Sequence, residues 1–336
     1  MPNTRKNTPG GMVILGDIGG TNCRLANCET VTGQITDITV IPVRELPSLQ
    51  EAIRQFMNLN PSNRYTTAAI SIANPITSDR VTMTNAHWDF SIEQTKINSG
   101  LDQLIVLNDW ESVAQGLPLL RGSELQQINK CDGNNSGNHA LCGVGTGLGA
   151  AGLIRRPGSP WVPVAGEGGH VSFSPTDKEE TDILKALRKN QEHVSFEKIL
   201  SGGGLTALHE VNTKRAGVSG EKILGPPEIL ARAERDSDSV CKHTIEMFCG
   251  VLGSFAGNLC LTLGANGGIY IGGGVIQKIY MAGLFDEARF LDRFTDKGRL
   301  SGWLSNIPAF ILRTPYAGLI GAAAALGIPN VSVIEN

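Results

Sequence analysis

Glycine clusters that directly follow short apolar runs constrain the fold of this chain more than any other feature. The sequence contains 41 glycines, and many of them lie in five short segments, at 16–20, 143–152, 166–169, 202–204 and 264–274. Glycine allows the chain to turn tightly and allows a ligand to approach the backbone closely. The clusters therefore predict an α/β protein whose strands end in glycine turns beside a binding site.

The two halves of the chain begin in the same way. Met12–Leu15 and Ala140–Val144 are apolar runs typical of buried strands, and a glycine turn and a second strand follow each. The turn Gly16–Thr21 and the segment Gly143–Gly147 form a weak internal repeat. We therefore expect two α/β domains in sequence, with a boundary near residues 110–120 and a ligand-binding cleft between the two hairpins.

Apolar residues at helical spacing predict several helices. They lie at 49–58, 110–117, 179–189, 195–200, 227–233, 239–263 and 316–326. The stretch Met247–Ala265 has no charged residue and is long enough to span a bilayer. However, Ser254, Asn258 and Thr262 recur every four residues, which predicts a polar stripe on a buried helix and no membrane partner.

Composition excludes several classes of protein. The net charge is −3 and the sequence pI is about 6.1, so the basic excess of a nucleic-acid-binding protein is missing. The seven cysteines form no C-x-x-C pair, which predicts reduced thiols and no zinc site. The polar N-terminal residues lack the apolar core of a signal peptide. We therefore expect a cytoplasmic protein.

Two of the glycine turns have the character of phosphate-binding loops. Successive backbone amides in such a turn converge on phosphate oxygens, and threonine adds a hydroxyl donor. The candidate residues are Gly16, Asp17, Ile18, Gly19, Gly20 and Thr21 in the first turn, and Gly145, Thr146 and Gly147 in the second. Asp17 adds a carboxylate suited to a magnesium-bound water. A purely structural turn remains the alternative for each loop.

Other nucleotide-binding motifs are missing or incomplete. The sequence has no G-x-x-x-x-G-K-[ST] motif and no lysine beside either glycine loop, so backbone amides and Mg²⁺ must offset the phosphate charge. Gly145–Ala150 matches the dinucleotide pattern G-x-G-x-x-A, which would indicate a nicotinamide-dependent oxidoreductase. That motif requires a helix directly after it, whereas Gly152 and Pro157 interrupt this segment, so a hairpin strand fits better.

Asp109 is the candidate general base. The pair Asn108-Asp109 ends the apolar strand Leu104–Leu107, where a carboxylate can accept a hydroxyl proton as that oxygen attacks a γ-phosphate. Both residue types are also favoured at helix N-caps, which is the structural alternative.

A further polar group suits a sugar with several vicinal hydroxyls. Glu167 and His170 lie on the glycine turn Gly166–His170, and Glu197 lies in a later helical segment. Carboxylates and histidine bind hydroxyls as both donors and acceptors. A metal site is the rival interpretation for Glu167 and His170, but further ligands are missing nearby. For Glu197 the alternative is an exposed helix acid.

Taken together and in this order, the motifs resemble the bacterial-type glucokinase family of the hexokinase–actin-like superfamily. The matching segments are Gly16–Asn22, Met83-Thr84-Asn85 with Trp88, Leu107–Asp109, Gly145–Gly149, Gly166–His170, Glu197 with Leu200–Gly202, and Gly272–Gly274. The similarity extends from about Val13 to Leu326. Each motif alone is common, whereas the ordered set is specific.

The resemblance implies a two-domain actin-like ATPase (ribonuclease H-like) fold with a cleft between a smaller and a larger domain. The small domain would comprise residues 1–119, completed by a C-terminal helix at 315–336, and the large domain residues 120–314. The implied enzyme is a cytoplasmic, homodimeric, ATP- and Mg²⁺-dependent glucokinase of glycolysis. Asp109 would be the base, and Asn108, Glu167, His170 and Glu197 would bind the sugar. Gly272 and Gly273 would lie near the adenosine.

The chain also differs from a related group. The repressor/kinase (ROK) group has a cysteine-rich zinc site after its E-x-G-H turn, whereas His170 is followed by Val171-Ser172-Phe173-Ser174-Pro175. We therefore expect no protein-bound metal site of that kind. A kinase for another hexose, a different phosphoryl donor, and a non-catalytic sugar-binding sensor on the same fold remain alternatives.

Overall fold

The computed structural model describes residues 11–84, 86–134, 136–155, 158–218, 222–235 and 240–334. Asn85 of the Met83-Thr84-Asn85 motif and Ser239, the first residue of a predicted helix, lie outside the described residues. The described chain contains both strands and helices. The strands are β1 (Met12–Ile18), β2 (Asn22–Glu29), β3 (Gln34–Pro42), β4 (Thr67–Ile72), β5 (Arg80–Thr82), β6 (Asp89–Ser91), β7 (Gln103–Asn108), β8 (Leu125–Gln127), β9 (His139–Val144), β10 (Leu148–Ile154), β11 (Val162–Gly166), β12 (Gly268–Gly272), β13 (Ala309–Leu312) and β14 (Ser332–Val333). The α-helices are α1 (Leu49–Leu59), α2 (Ile92–Asn98), α3 (Asp109–Gly116), α4 (Lys178–Leu187), α5 (Gly202–Arg215), α6 (Pro226–Arg235), α7 (Val240–Leu263), α8 (Gly274–Met281), α9 (Glu287–Thr295), α10 (Ser301–Leu304) and α11 (Ala317–Ala325).

The chain divides into two compact units. The first unit comprises residues 1–122 and 314–336, and the second comprises residues 123–313. The chain therefore leaves the first unit once and returns to it with its C-terminal segment. This segment was expected to be a helix over 315–336, but α11 spans only Ala317–Ala325 and the short strand β14 follows it. Gly327 adopts a positive φ of 75° directly after Leu326, which ends the helix.

The first unit is built on a six-stranded sheet with the order β14-β3-β2-β1-β4-β7. Strands β1, β2 and β3 form an antiparallel meander, and β4 and β7 continue the sheet parallel to β1. Helix α1 packs a buried apolar face, which includes Ile53 and Phe56, into the core of this unit. Ser48 caps this helix, because its side chain accepts a hydrogen bond from Glu51 N.

The second unit repeats the meander and the two parallel strands, but its sixth strand, β8, lies beside the parallel strands and not beside the meander. Its sheet has the order β11-β10-β9-β12-β13-β8, with a β9–β10–β11 meander followed by parallel β12 and β13. Strand β10 begins at Leu148, directly after the turn Gly145–Gly147, so a hairpin strand follows the glycines. The dinucleotide interpretation is therefore wrong, because the helix that it requires does not form there.

Helix α7 is the central helix of the second unit. It is long and apolar enough to cross a membrane by length and composition, but 78% of its most apolar 18-residue window is buried. Gly253 and Gly257 face the backbone of α9 at Phe290 and Phe294, where a side chain would overlap main-chain atoms. This close approach explains the glycines within the run and confirms the prediction of a buried helix.

Two local predictions were wrong. The segment 195–200 contains only one 3-10 turn, Phe196–Lys198, because the preceding Ser195 pairs with Ser172 in an extended bridge. The glycines at 202–204 were expected to form a turn but open the 14-residue helix α5 instead. Ser201 caps this helix through a hydrogen bond from Gly204 N to its hydroxyl, at 3.0 Å.

Candidate functional site

The first glycine turn connects β1 to β2 in the first unit. Gly16 lies in β1, where a Cβ atom would come within 2.6 Å of Ile70 Cδ1, so a larger residue would have to displace that side chain. Gly19 N donates a hydrogen bond to Asn22 O at 3.0 Å and closes the turn. Thr21 is exposed at its tip. The turn thus presents backbone groups and a hydroxyl at the end of β1, as the phosphate-loop prediction requires.

Asp17, expected beside magnesium, forms an ion pair with Arg24. Arg24 donates from Nη1 to Asp17 Oδ2 at 2.8 Å and to Pro315 O at 3.2 Å, and its guanidinium lies 5.6 Å from the centre of the Tyr316 ring. Burial raises the pKa of Asp17, and the charge and hydrogen bond of Arg24 oppose that effect. Gly318 of α11 packs directly against the carboxylate. Arg24 was missed from the sequence, because only strand pairing brings it opposite Asp17.

Asn108 and Asp109 lie at the carboxyl edge of the same sheet. Ile18, Ile72 and Asn108 are in register across β1, β4 and β7, so Asp109 follows two strands away from the first glycine turn. Such a separation is about 10 Å at the usual strand spacing. The first unit therefore brings the predicted base and the predicted phosphate loop to one edge.

The N-cap of α3 is Asn108 and not Asp109. Asn108 Oδ1 accepts hydrogen bonds from Trp110 N at 3.0 Å and Glu111 N at 3.1 Å. Asp109 occupies the first helical position, and its Oδ1 accepts from Trp110 N at 2.9 Å. The structural alternative therefore applies to Asn108, whereas the half-buried Asp109 is oriented by the first turn of the helix.

The second glycine turn lies in the second unit, between β9 and β10. Gly145 N donates to Gly147 O at 2.9 Å, and Thr146 is exposed at the tip. Gly202, at the start of α5, donates from its amide to Gly145 O at 3.0 Å. The turn is therefore joined to the beginning of a helix, where unpaired backbone N–H groups favour anions.

A second helix begins beside the same turn. Gly272 pairs with Gly143 in neighbouring strands, and Gly273 caps α8 with a positive φ of 91°. A Cβ atom at Gly273 would overlap the backbone of Val144, so only glycine allows this approach. The turn at 145–147 thus lies between the N-terminal ends of α5 and α8. The backbone amides and dipoles at such helix ends favour anions.

Glu167 and His170 lie on an exposed 3-10 turn that packs on β10. Their side chains are 56% and 60% exposed, and Glu167 Oε2 lies 3.7 Å from His170 Nε2. Both groups are therefore available to a ligand. The turn is held by packing of Gly168 and Gly169 against Ala150 and Leu148, where side chains would collide.

Glu197 contacts the second glycine turn. Its Oε2 accepts a hydrogen bond from Leu148 N at 2.9 Å, and a Cβ atom at Gly147 would lie 2.5 Å from the same oxygen. The interpretation of Glu197 as an exposed helix acid is therefore wrong, because folding places the carboxylate against the phosphate-loop candidate. The second unit thus brings together Glu197, the 145–147 turn and the Glu167–His170 turn, all of which contact the start of β10.

Metal ligation by the protein alone has little support in the described part of the chain. It contains no group of three or more His, Cys, Asp or Glu side chains arranged to hold an ion. Among the described residues, Glu167 and His170 have no third potential metal ligand beside them, and Asp17 forms an ion pair with Arg24.

Comparisons with known proteins identify the family of this chain. A glucokinase family model matches residues 14–327. A glucokinase from Chromobacterium violaceum is 43% identical over 313 residues, which cover 93% of this chain and 88% of that protein. A Burkholderia orbicola protein named bifunctional protein glk is 41% identical over 93% of this chain, and this chain spans only 48% of that protein's length.

A solved structure gives the same result. The crystal structure of a glucokinase from an Antarctic psychrotroph superimposes with a TM-score of 0.82 at 33% identity, covering 94% of this chain and 99% of that one. The mixed α/β units and this likeness confirm the prediction of an actin-like ATPase fold. On the extent of the family match and of the sequence identity, the chain belongs to the glucokinase family.

Proposed function

We propose that this protein transfers the γ-phosphate of ATP to the 6-hydroxyl of glucose, giving glucose 6-phosphate and ADP in the first step of glycolysis. The observation that carries the proposal is the junction in the second unit. There a glycine turn flanked by the N-terminal ends of α5 and α8 directly contacts Glu197. The glycine turn and the helix ends suit phosphates, and the adjoining Glu197 carboxylate suits sugar hydroxyls. A sugar kinase requires both kinds of group. Family membership supports the same conclusion.

Asp109 is the proposed general base. It accepts the proton of the 6-hydroxyl as that oxygen attacks the γ-phosphorus and the bond between the γ-phosphorus and the bridging oxygen of ADP breaks. Its place on the first turn of α3 fixes the carboxylate, because Asp109 Oδ1 accepts from Trp110 N and Asn108 caps the same turn.

Asn108, Glu167, His170 and Glu197 are the proposed sugar ligands. The carbonyl oxygen of Asn108 is occupied by the backbone of α3, so its amide Nδ2 is the group proposed to donate to a sugar hydroxyl. Among the described residues, that amide donates one long hydrogen bond, to Asn74 O at 3.4 Å, which a ligand oxygen can replace at little cost.

The glycine turns are the proposed phosphate-binding elements. Gly145, Thr146 and Gly147 offer amides and a hydroxyl between two helix ends, and residues 16–21 form the corresponding turn of the first unit. Gly272 and Gly273, at the start of α8, are proposed to lie near the adenosine.

Magnesium is the proposed metal of the nucleotide. Mg²⁺ carried with ATP would offset the charge of the phosphate oxygens. In the described part of the chain, Asp17 Oδ1 has no hydrogen-bond donor, and this oxygen fits a magnesium-bound water. The pairing of Asp17 with Arg24 leaves one oxygen for that role and holds it in place.

We further propose that the two units are the family's small and large domains. A cytoplasmic location and a homodimer remain predictions.

A coupled assay tests the proposal. Purified protein is incubated with glucose and Mg-ATP, and glucose 6-phosphate formation is followed through a dehydrogenase that produces NADPH. For other sugars with ATP, ADP formation is measured instead. We expect turnover with glucose and ATP that exceeds turnover with mannose, N-acetylglucosamine, ADP or polyphosphate. Glucose binding by calorimetry without turnover with any donor would instead indicate a sensor. Faster turnover with another hexose would overturn the choice of substrate.

The role of Glu167 has its own test. We expect Glu167→Gln to raise the KM for glucose at least tenfold, because the exposed carboxylate would lose charge-assisted hydrogen bonds worth about 1.5–3 kcal/mol. The KM for ATP should change little. Steady-state kinetics with each substrate varied gives both values, and an unchanged KM for glucose would remove Glu167 from the sugar site.

A further inference from the structure

Leu148 connects the sugar-binding candidates to the phosphate-binding turn. It follows directly on Gly145–Gly147, and its amide donates to Glu197 Oε2 at 2.9 Å. Its carbonyl oxygen packs against Gly169, where any side chain would overlap it. The first residue of β10 is therefore fixed by the Glu197 carboxylate through its amide and by the Glu167–His170 turn through its carbonyl.

Glu197 is held on a stiff support. The preceding Phe196 is buried, and its ring lies 5.5 Å from Phe173 and 5.2 Å from Phe255. Phe196 N donates to Val171 O at 3.0 Å, and Val171 directly follows His170. The segment that carries Glu197 is thus tied to the turn that carries Glu167 and His170, so the three side chains form one connected set.

The connection continues to the helix that follows Glu197. Gly202 N, five residues after Glu197, donates to Gly145 O at the beginning of the glycine turn. The segment 197–202 therefore contacts the turn at both ends, at Gly145 and at Leu148. A small movement of this segment must move the backbone amides of the turn with it.

We propose that Glu197 is a positioning residue that couples occupancy of the sugar site to the shape of the phosphate-binding turn. This inference rests on the proposed function. One oxygen of Glu197 stays on Leu148 N while the other accepts from a sugar hydroxyl, so a bound sugar fixes the rotamer of Glu197. The amides at 145–148 are then held in the geometry that binds phosphate. Binding of sugar and nucleotide is consequently cooperative within the second unit itself, and the coupling is reciprocal.

Calorimetry with the non-hydrolysable analogue AMPPNP and Mg²⁺ tests the proposal. Its Kd is measured with and without saturating glucose for the wild type, Glu197→Ala, Glu197→Gln and, as a matched control, Glu167→Gln. We expect glucose to tighten AMPPNP binding in the wild type by a factor of about 5 or more, within the usual range of coupling. In Glu197→Ala, saturating glucose should change the Kd for AMPPNP by no more than about twofold. Glu197→Gln keeps an acceptor for Leu148 N and should retain most of it, as should Glu167→Gln.

A sugar-free comparison keeps the test decisive if Glu197→Ala no longer binds glucose. Without glucose, Glu197→Ala should weaken AMPPNP binding about two- to tenfold, the usual range for one lost hydrogen bond, whereas Glu167→Ala should leave it unchanged. Equal AMPPNP affinities for these two variants, or a wild type whose AMPPNP affinity ignores glucose, would overturn the coupling. Neither result would contradict the proposed function, which fails only if the wild type does not phosphorylate glucose.

Discussion

Asn108 begins helix α3 with its side-chain carbonyl, and this choice of cap determines what Asp109 can do. The cap satisfies two backbone amides, and the carboxylate at the next position accepts a hydrogen bond from Trp110 N. Sequence reasoning identified both residues but not which one would cap the helix, because asparagine and aspartate are equally favoured there. It also missed Arg24, since the pairing with Asp17 arises only from strand register.

His139 is a second residue whose environment gives a testable consequence. Its ring lies 4.9 Å from Trp161 and 5.5 Å from Tyr270, and burial lowers its pKa to about 4. The unfolded chain takes up a proton below about pH 6.5, whereas the folded protein resists protonation until about pH 4. Protonation therefore favours the unfolded chain, and stability is lost as the pH falls through this window.

We expect His139→Phe to reduce this acid sensitivity. Between pH 7.5 and 5.0 the wild type should lose about 2 kcal/mol more unfolding free energy than the variant, which keeps an aromatic ring but has no titrating group. Urea unfolding curves at the two pH values measure the difference. Parallel losses in the two proteins would show that His139 is not the responsible group.

Glycines act at the level of whole elements as well as in turns. Helices α3 and α11 of the first unit pack with their backbones in near contact, because Gly116 meets the backbone of Gly321 and Gly321 meets Ser112. The apolar spacing at 316–326 predicted helix α11 but not its partner α3. Similarly, Gly202–Gly204 gave no helical signal, since the cap Ser201 and tertiary packing overcome the low helix propensity of glycine.

Gly321→Ala tests the packing of α11. The added methyl group would overlap the backbone of Ser112, so we expect a loss of about 1–3 kcal/mol in unfolding free energy. Gly302→Ala is the matched control, because nothing lies within 4 Å of a Cβ atom at that position. Thermal or urea unfolding compares the two variants, and equal stabilities would mean that α3 and α11 tolerate a wider separation.

At the scale of the whole molecule, the two sheets share one order of strands, a three-stranded meander followed by two parallel strands. The repeated glycine hairpins predicted the first two strands of each meander, and the order of the remaining strands was not predicted. The edge strands β8 and β14 were not predictable, since two or three residues carry no usable periodicity. The contacts of Glu197 with the second glycine turn depend on residues 49 positions apart and have no local signature.

The cysteines provide a test of the whole fold. Six of the seven are buried and Cys131 is partly exposed, and burial raises the pKa of Cys23, Cys28, Cys142 and Cys249 to about 12. Burial also raises the pKa of Cys131, but its partial exposure lets a reagent reach it, so we expect one thiol per native chain to react with DTNB before the others, and all seven to react in denaturant. Cys131→Ser should abolish the native reaction. Two or more fast thiols in the native protein would contradict the described packing.

The central claim is that Asp109 removes the proton from the glucose 6-hydroxyl, and Asp109→Asn tests it most directly. The variant keeps the size of the side chain and an oxygen for Trp110 N, so glucose binding should persist within a fewfold by calorimetry. The coupled assay should show a fall in kcat of about two to four powers of ten, the usual scale of a general base. Turnover close to that of the wild type, with glucose bound equally well, would contradict the assignment.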